Sequence, residues 1–478
     1  MRTAKQHEAH VGRPLERLRV RTHGPLLEED SELLDVELSG HRGRRMAWSV
    51  SDQILSSATN FVLTILVARA VSPGQLGVFA VLMAVYLVVN GIVRGLTSEV
   101  VAVRLSSLSR PELAAQAGGA LGLAASAGII VGSVVLIGGA VVASMGGDWR
   151  PVVVLGLAFP LLIVQDALRF VFVAQREAVR AFAIDLVWAI VQIAAIIAVV
   201  AVGDSGLTIF MAAWAFAGAL SAVVGLIIND AKPKYSAARE WLRLHRDLAA
   251  PFVVEFLAGQ GAYQLSLISA GAIAGLSTAG ALRGVQALFG PLTVLSAGLA
   301  LAAIPEFARL AKRGAPRFTL ACVGFGVVIA LGALVTGVLM MALPEQAGHA
   351  LLGESWALAS PLIIFLTIQK VGEGIGIGAF VGMRSRQYAF RSAGLRSAIG
   401  VLAIATSSLG AYLAGAKGVM IGMAIVMPLA AVAWWLQFLR ASKVEAAGSA
   451  KTPGGAGGSR ATTRTDAAMD EEFAGVSA

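Results

Sequence analysis

Lys370 and Glu373 stand three residues apart inside an apolar run at 357–382. That step puts both on one helical face, where they can pair. Ionisable groups within hydrocarbon are costly, so a pair held there either neutralises itself at a helix crossing or handles an ionic ligand. The same three-residue step separates Asp166 from Arg169, with Gln165 beside them, in the run 151–174. Arg169 is nearer the end of its run, where a long stem can carry the guanidinium to the surface. Arg94 follows Asn90 by one turn and sits close enough to a run end to snorkel, whereas Arg283, one turn before Gln286, faces either a cavity or headgroups. Asp52, Asp185 and Glu255 lie near run ends, where solvation makes a carboxylate cheap. Glu373, Asp166 and Glu255 are the candidates for binding a proton or sodium ion.

Two further patterns are polar or flexible rather than charged. Gln53, Ser57, Asn60 and Thr64 fall within a narrow arc at 100° per residue. A lipid-facing helix would not keep that stripe, so it faces other helices or water. Gly372, Gly374, Gly376 and Gly378 alternate with larger residues directly after Lys370. Such density weakens a helix and predicts either a hinge or a close helix contact.

Signs of enzyme chemistry are missing from the sequence. All six histidines (His7, His10, His23, His41, His245 and His349) fall in tails or loops, so neither a buried base nor a zinc pair is expected. There is no Gly-Lys-Ser/Thr phosphate loop, and the longest outer loop, 343–356, is too short for a catalytic domain. No cofactor is implied beyond a proton or sodium gradient.

The elements that must hold these residues are membrane spans. Of 478 residues, 57% are hydrophobic and 14% charged, against roughly 25% charged in soluble domains. The net charge of +9 does not form a nucleic-acid patch, because the basic residues sit in short loops between apolar runs. Cys322 is the only cysteine and excludes an internal disulfide. Crossing about 30 Å of hydrocarbon takes about 20 apolar residues. Runs that qualify are 46–69, 76–97, 117–145, 151–174, 182–202, 206–229, 249–274, 279–303, 318–342, 357–382, 391–414 and 417–440. The expected fold is therefore an all-α polytopic membrane protein of about twelve transmembrane helices.

Charge sets the expected orientation. With the N-terminus inside, the inner loops hold Arg104, Arg110, Arg176, Arg180, Lys232, Lys234, Arg239, Arg243, Arg246, Arg309, Lys312, Arg313, Arg317, Arg384, Arg386 and Arg391. The outer loops hold only Arg69, Arg150 and Lys417. Positive loops stay cytoplasmic, so both termini are placed there. Residues 1–45 and 441–478 read as disordered tails, since neither can bury enough apolar surface to fold.

The chain also looks duplicated. Pro160-Leu161-Leu162-Ile163 precedes Arg169, and Pro361-Leu362-Ile363-Ile364 precedes Lys370, each cation nine residues after its proline. Two six-helix bundles, 46–229 and 249–440, then join through a linker at 230–248. Trp241, Leu242 and Leu244 among its basic residues suggest an amphipathic helix on the membrane surface. Repeats of this kind are a transporter architecture. Cations in helices 2, 4, 8 and 10 take corresponding places in the two halves. If they line a central cavity, it is cationic and suits an anionic cargo.

The segment Asp52-Gln53-Ile54-Leu55-Ser56-Ser57-Ala58-Thr59-Asn60-Phe61, then Val67-Ala68-Arg69-Ala70-Val71-Ser72-Pro73 and Gly77-Val78-Phe79, resembles the Wzx-type polysaccharide flippases of the MOP superfamily. Leu282-Arg283-Gly284-Val285-Gln286 and Pro305-Glu306-Phe307-Ala308-Arg309 fit the second half of that pattern. The resemblance covers roughly 46–440, and MATE drug exporters and MurJ lipid II flippases are relatives of this group. It implies a V-shaped pair of bundles in a bacterial cytoplasmic membrane, working by alternating access. The implied cargo is an undecaprenyl-pyrophosphate-linked oligosaccharide, with a polysaccharide polymerase and other assembly proteins as partners. Lys370, Arg283, Arg169 and Arg94 would then attract the pyrophosphate, with Gln53, Asn60 and Gln286 as polar lining. A MATE-like exporter of cationic drugs and a non-transporting subunit of a polysaccharide assembly complex stay open as alternatives.

Overall fold

A computed structural model describes residues 59–203, 206–311, 315–386 and 389–450. Among them the regular structure is entirely helical, as a chain that must satisfy every backbone polar group inside lipid requires. Ser72 opens the second helix, α2 (Pro73–Leu96), after α1 (Thr59–Ala70). Its hydroxyl accepts from Gln75 N–H, Gln75 answers to the Ser72 N–H, and Pro73 presets the first turn. Ser109 and Glu112 repeat that box at α3 (Arg110–Ser144). There Ser109 donates from both N and Oγ to Glu112, at 3.2 and 2.6 Å, which holds the Glu112 carboxyl below its ordinary range. The first half is completed by α4 (Arg150–Ala174), α5 (Ala178–Val202) and α6 (Leu207–Ile228).

The second half is less regular. α7 (Ala238–Phe256) passes through a π-helical turn, Leu257–Gly261, into α8 (Ala262–Ala274). Gly275, with φ of 89°, turns the chain into α9 (Leu276–Leu288), and Phe289 breaks α9 from α10 (Gly290–Ala311). Then come α11 (Ala315–Met341), a short α12 (Glu345–Leu352) in the loop 343–356, α13 (Ile363–Ser385) and α14 (Ala389–Ala450). α14 contains two spans, divided where Ala414 and Gly415 leave helical geometry. Nine helices are individually long and apolar enough to cross a membrane among the described residues. The division of α14 and the apolar α7–α8 stretch agree with two further expected crossings, and α1, described over Thr59–Ala70, lies in the first expected run. This is a multi-pass membrane protein. The expected tail boundary at 441 is corrected, because α14 runs helical to Ala450.

Small residues let the two halves approach. A methyl group on Gly77 of α2 would overlap the Leu276 carbonyl, and one on Gly280 of α9 would strike the Pro73 carbonyl. At the other end of α2, a methyl on Gly91 would run into the Phe256 ring and one on Gly95 into Val253. α2 therefore packs against the second half at both ends, through contacts that tolerate no side chain.

The four alternating glycines make close helix contacts in this structure. α13 runs through them unbroken. Gly372 and Gly376 face α14 at Pro428 and Ala431, while Gly374 and Gly378 face α11 at Ala330 and Cys322. Positions four apart share a helical face, so the alternation is two interleaved close-contact stripes.

In the linker, Trp241 packs on protein while Leu242 and Leu244 stay exposed. Trp241 is 4% exposed, and its Nε1 donates to Leu96 O at 3.1 Å. Lys234 N donates to Gly118 O at 2.8 Å. Beyond α2, the π-helical turn Val101–Leu105 ends in Arg104. Arg104 donates to Leu244 O at 3.2 Å, lies 2.9 Å from His245 Nδ1 and pairs with Asp247. Partial burial and the Arg104 charge push the His245 imidazole below its ordinary value.

Candidate functional site

The first-half charges form one closed network. Arg94 of α2 donates Nε to Asp166 Oδ2 of α4 at 3.0 Å, and its Nη2 pairs with the other carboxylate oxygen. This bidentate fork is the geometry a guanidinium matches to a carboxylate. Arg169 lies 3.7 Å from Asp166 and 3.0 Å from Asp185 of α5. Gln165 Nε2 donates to Asp185 Oδ1 at 2.8 Å and lies 3.4 Å from Ser221 Oγ, which donates to Ile184 O at 2.6 Å. Asn90 adds a hydrogen bond to Asp166. Tyr86 brings its phenol within reach of all four charges and packs edge-on against Trp214 at 5.1 Å.

Three expectations change here. Arg94 and Arg169 turn inward to carboxylates instead of snorkelling, because each finds an acid on a neighbouring helix. Asp185 is buried at 6% exposure and hydrogen-bonded, not solvated at a helix end. Two guanidiniums facing two carboxylates also leave this cluster without net charge.

The second half is built differently. Lys370 Nζ pairs with Glu373 Oε2 at 2.7 Å, and Gln369 Nε2 donates to Glu373 Oε1 at 2.8 Å. Glu373 is one-third exposed. Arg169 pairs three residues back to Asp166, whereas Lys370 pairs three residues forward to Glu373. Arg283 on α9 donates from Nη2 to Thr64 Oγ1 at 3.0 Å, and Thr64 donates on to Asn60 O at 2.8 Å. Thr64 of the polar stripe thus faces a cation of the other half. The guanidinium also lies 6.0 Å from the Phe79 ring centre. Among the described residues no carboxylate pairs with Arg283, and its buried Nε has no hydrogen-bond partner. Tyr263 of α8 lies within electrostatic reach of Arg283, Lys370 and Glu373 together. Gln286 is half-buried on α9, one turn on from Arg283. Gln53 lies outside the described residues.

Glu255 on α7 sits 3.1 Å from Arg396 and 3.5 Å from Arg384, so two arginines from α14 and α13 hold it. Glu99, in the short turn after α2, escaped the sequence reading; it is half-buried and lies within electrostatic reach of Arg94, Glu255, Asp166 and Arg384. Tyr86, Tyr263 and Gln369 were also missed. An aromatic or amide in an apolar run looks like ordinary core until its neighbours are known.

The helix order and crossings match solved transporter structures. An inward-facing multidrug resistance MATE family transporter of the MOP superfamily superposes with a TM-score of 0.62 at 15% identity, over 84% of this chain and 99% of that one. An outward-facing MATE transporter of the same superfamily gives 0.56 at 13% identity, over 84% and 96%. A MATE protein in complex with MaD3S gives 0.54 at 15% identity, over the same shares. The chain has the MATE transporter fold. Those neighbours are twelve-helix proteins, in agreement with the crossings counted above. No protein-family model and no curated protein sequence matches the chain. At these identities the likeness establishes the MATE-type fold and leaves the cargo to the chemistry of the site.

Proposed function

We propose that this MATE-type protein is a secondary transporter that flips an undecaprenyl-pyrophosphate-linked oligosaccharide across a bacterial cytoplasmic membrane by alternating access. The observation that carries the reading is Arg283. It is a cation without a carboxylate partner among the described residues, hydrogen-bonded to Thr64 and within electrostatic reach of Tyr263, which in turn reaches the Lys370–Glu373 pair. A guanidinium presents several donors in a planar fork that suits phosphate oxygens. An arriving pyrophosphate pairs with the Arg283 guanidinium and competes with Glu373 for Lys370. Glu373 released in this way couples transport to a proton or sodium gradient. Arg94 and Arg169, neutralised by Asp166 and Asp185, hold the first bundle together and do not bind cargo. Asp166 and Glu255, each held by arginines, give way to Glu373 as the coupling group. The loop charges favour a cytoplasmic linker face, and in this reading a polymerase receives the cargo outside.

Export of a cationic drug is the second reading. The names of the MATE neighbours favour it, and Glu99 is a half-buried carboxylate that a cation could use. Deleting the gene separates the two. The flippase reading expects lipid-linked repeat units stranded on the inner leaflet and surface polysaccharide lost. Normal surface polysaccharide with raised drug sensitivity would contradict it.

A further inference from the structure

With Trp241 docked on protein, α7 presents its opposite side outward. Arg239, Arg243 and Arg246 are all exposed and share one narrow arc at 100° per residue. Leu242, 38% exposed, borders the arc on one edge, together with Tyr235 in the turn just before the helix. On the other edge lie Glu240 and Asp247, the latter taken by Arg104, and beyond them Leu244, 57% exposed. A row of guanidiniums flanked by exposed apolar side chains suits a lipid headgroup boundary.

The depth of the helix agrees. α2 is 24 residues long, about 36 Å at 1.5 Å per residue, so it spans the hydrocarbon and leaves Leu96 at the interface. Trp241 bonds to the Leu96 carbonyl. α3 has 35 residues, about 52 Å, which is about 20 Å more than the hydrocarbon needs. The linker crosses α3 at Gly118 and Gly122, where a methyl would strike the backbone at Lys232 or Lys234. Both contacts set α7 level with the headgroups.

We propose that Arg239, Arg243 and Arg246 form a binding row for the phosphates of anionic phospholipids in the leaflet on the linker side. α7 runs on through its π-helical turn into α8 and is clasped to the end of α2 by Arg104. Lipid held on this row therefore braces the seam between the two halves. This inference is independent of what the protein carries.

The test uses the full-length protein in a neutral detergent, titrated with short-chain phosphatidylglycerol or phosphatidylcholine, with bound lipid counted by native mass spectrometry. The unmodified protein retains phosphatidylglycerol over phosphatidylcholine. The Arg239→Gln/Arg243→Gln/Arg246→Gln protein loses affinity for it on the order of 100-fold, from three charges removed near an anionic headgroup. The corresponding triple lysine variant keeps most of it. Raising salt on the unmodified protein reads the same interaction without any substitution, and the preference fades. A preference that survives the glutamine changes, or that ignores salt, overturns the proposal. So does displacement of the lipid by an equal concentration of inorganic phosphate, which would mean that the row reads a free anion.

Discussion

Arg283 donates to the Thr64 hydroxyl at 3.0 Å, tying α9 in the second half to the polar stripe of α1 in the first, with no acid to balance its charge among the described residues. Arg94 of α2, by contrast, is locked onto Asp166. Among the described residues of the site, the cation left without an acid is Arg283.

The first prediction concerns Asp166. Removing one partner of a buried ion pair costs about 3–5 kcal/mol, because the other charge is stranded. Asp166→Ala should therefore lower the thermal unfolding midpoint sharply in detergent. Arg94→Leu combined with Asp166→Leu should recover much of that loss. A double variant as unstable as the single one would show that the pair is not the unit that matters.

The second prediction separates packing from hinging in α13. A methyl on Gly378 would strike the Cys322 carbonyl, whereas one on Gly376 would meet Ala431 at 3.3 Å, which a small shift relieves. Gly378→Ala should destabilise by about 1–3 kcal/mol, in the range of overpacking, and Gly376→Ala by clearly less. If the glycines act as a hinge, both changes would instead stiffen the helix and slow transport without loss of stability.

The third prediction concerns pH at the linker. His245 has a folded-state value below its ordinary one, so the folded protein favours the neutral ring. That contribution is complete above the ordinary histidine range near 6.5 and is lost as pH falls through the folded value. Hydrogen-exchange protection in α7, corrected for the intrinsic pH dependence of exchange, should fall on acidification below about pH 6.5, and His245→Gln should remove that dependence. Equal exchange in both proteins across the range would rule out His245 as the cause.

Much of this fold was legible in the sequence because hydrocarbon thickness fixes the length of an apolar run, and loop charge fixes its ends. The Lys370–Glu373 and Asp166–Arg169 contacts were also legible, since a three-residue step needs only helix geometry. Contacts between helices were not. Nothing local to Asp185 says that Arg169 and Gln165 will reach it, and nothing local to Arg94 distinguishes snorkelling from a fork onto Asp166. Trp241 misled for the same reason. An amphipathic helix shows which side is apolar, but not whether lipid or a neighbouring helix covers it. The glycine alternation left a bend and a close contact both open, and the contact partners, Cys322, Ala330, Pro428 and Ala431, lie far along the chain.

The central claim is that Arg283 is the open cation for an anionic, lipid-linked cargo. Its most direct measurement is the initial rate at which the purified protein, reconstituted in vesicles, flips a fluorescent undecaprenyl-pyrophosphate oligosaccharide. The account predicts that Arg283→Ala lowers this rate at least about tenfold, the effect of losing about 1.4 kcal/mol from a charge-assisted contact. Arg283→Lys should keep part of the rate, and both variants should unfold at an unchanged temperature. A rate left intact by Arg283→Ala, or no flipping by the unmodified protein, would contradict it.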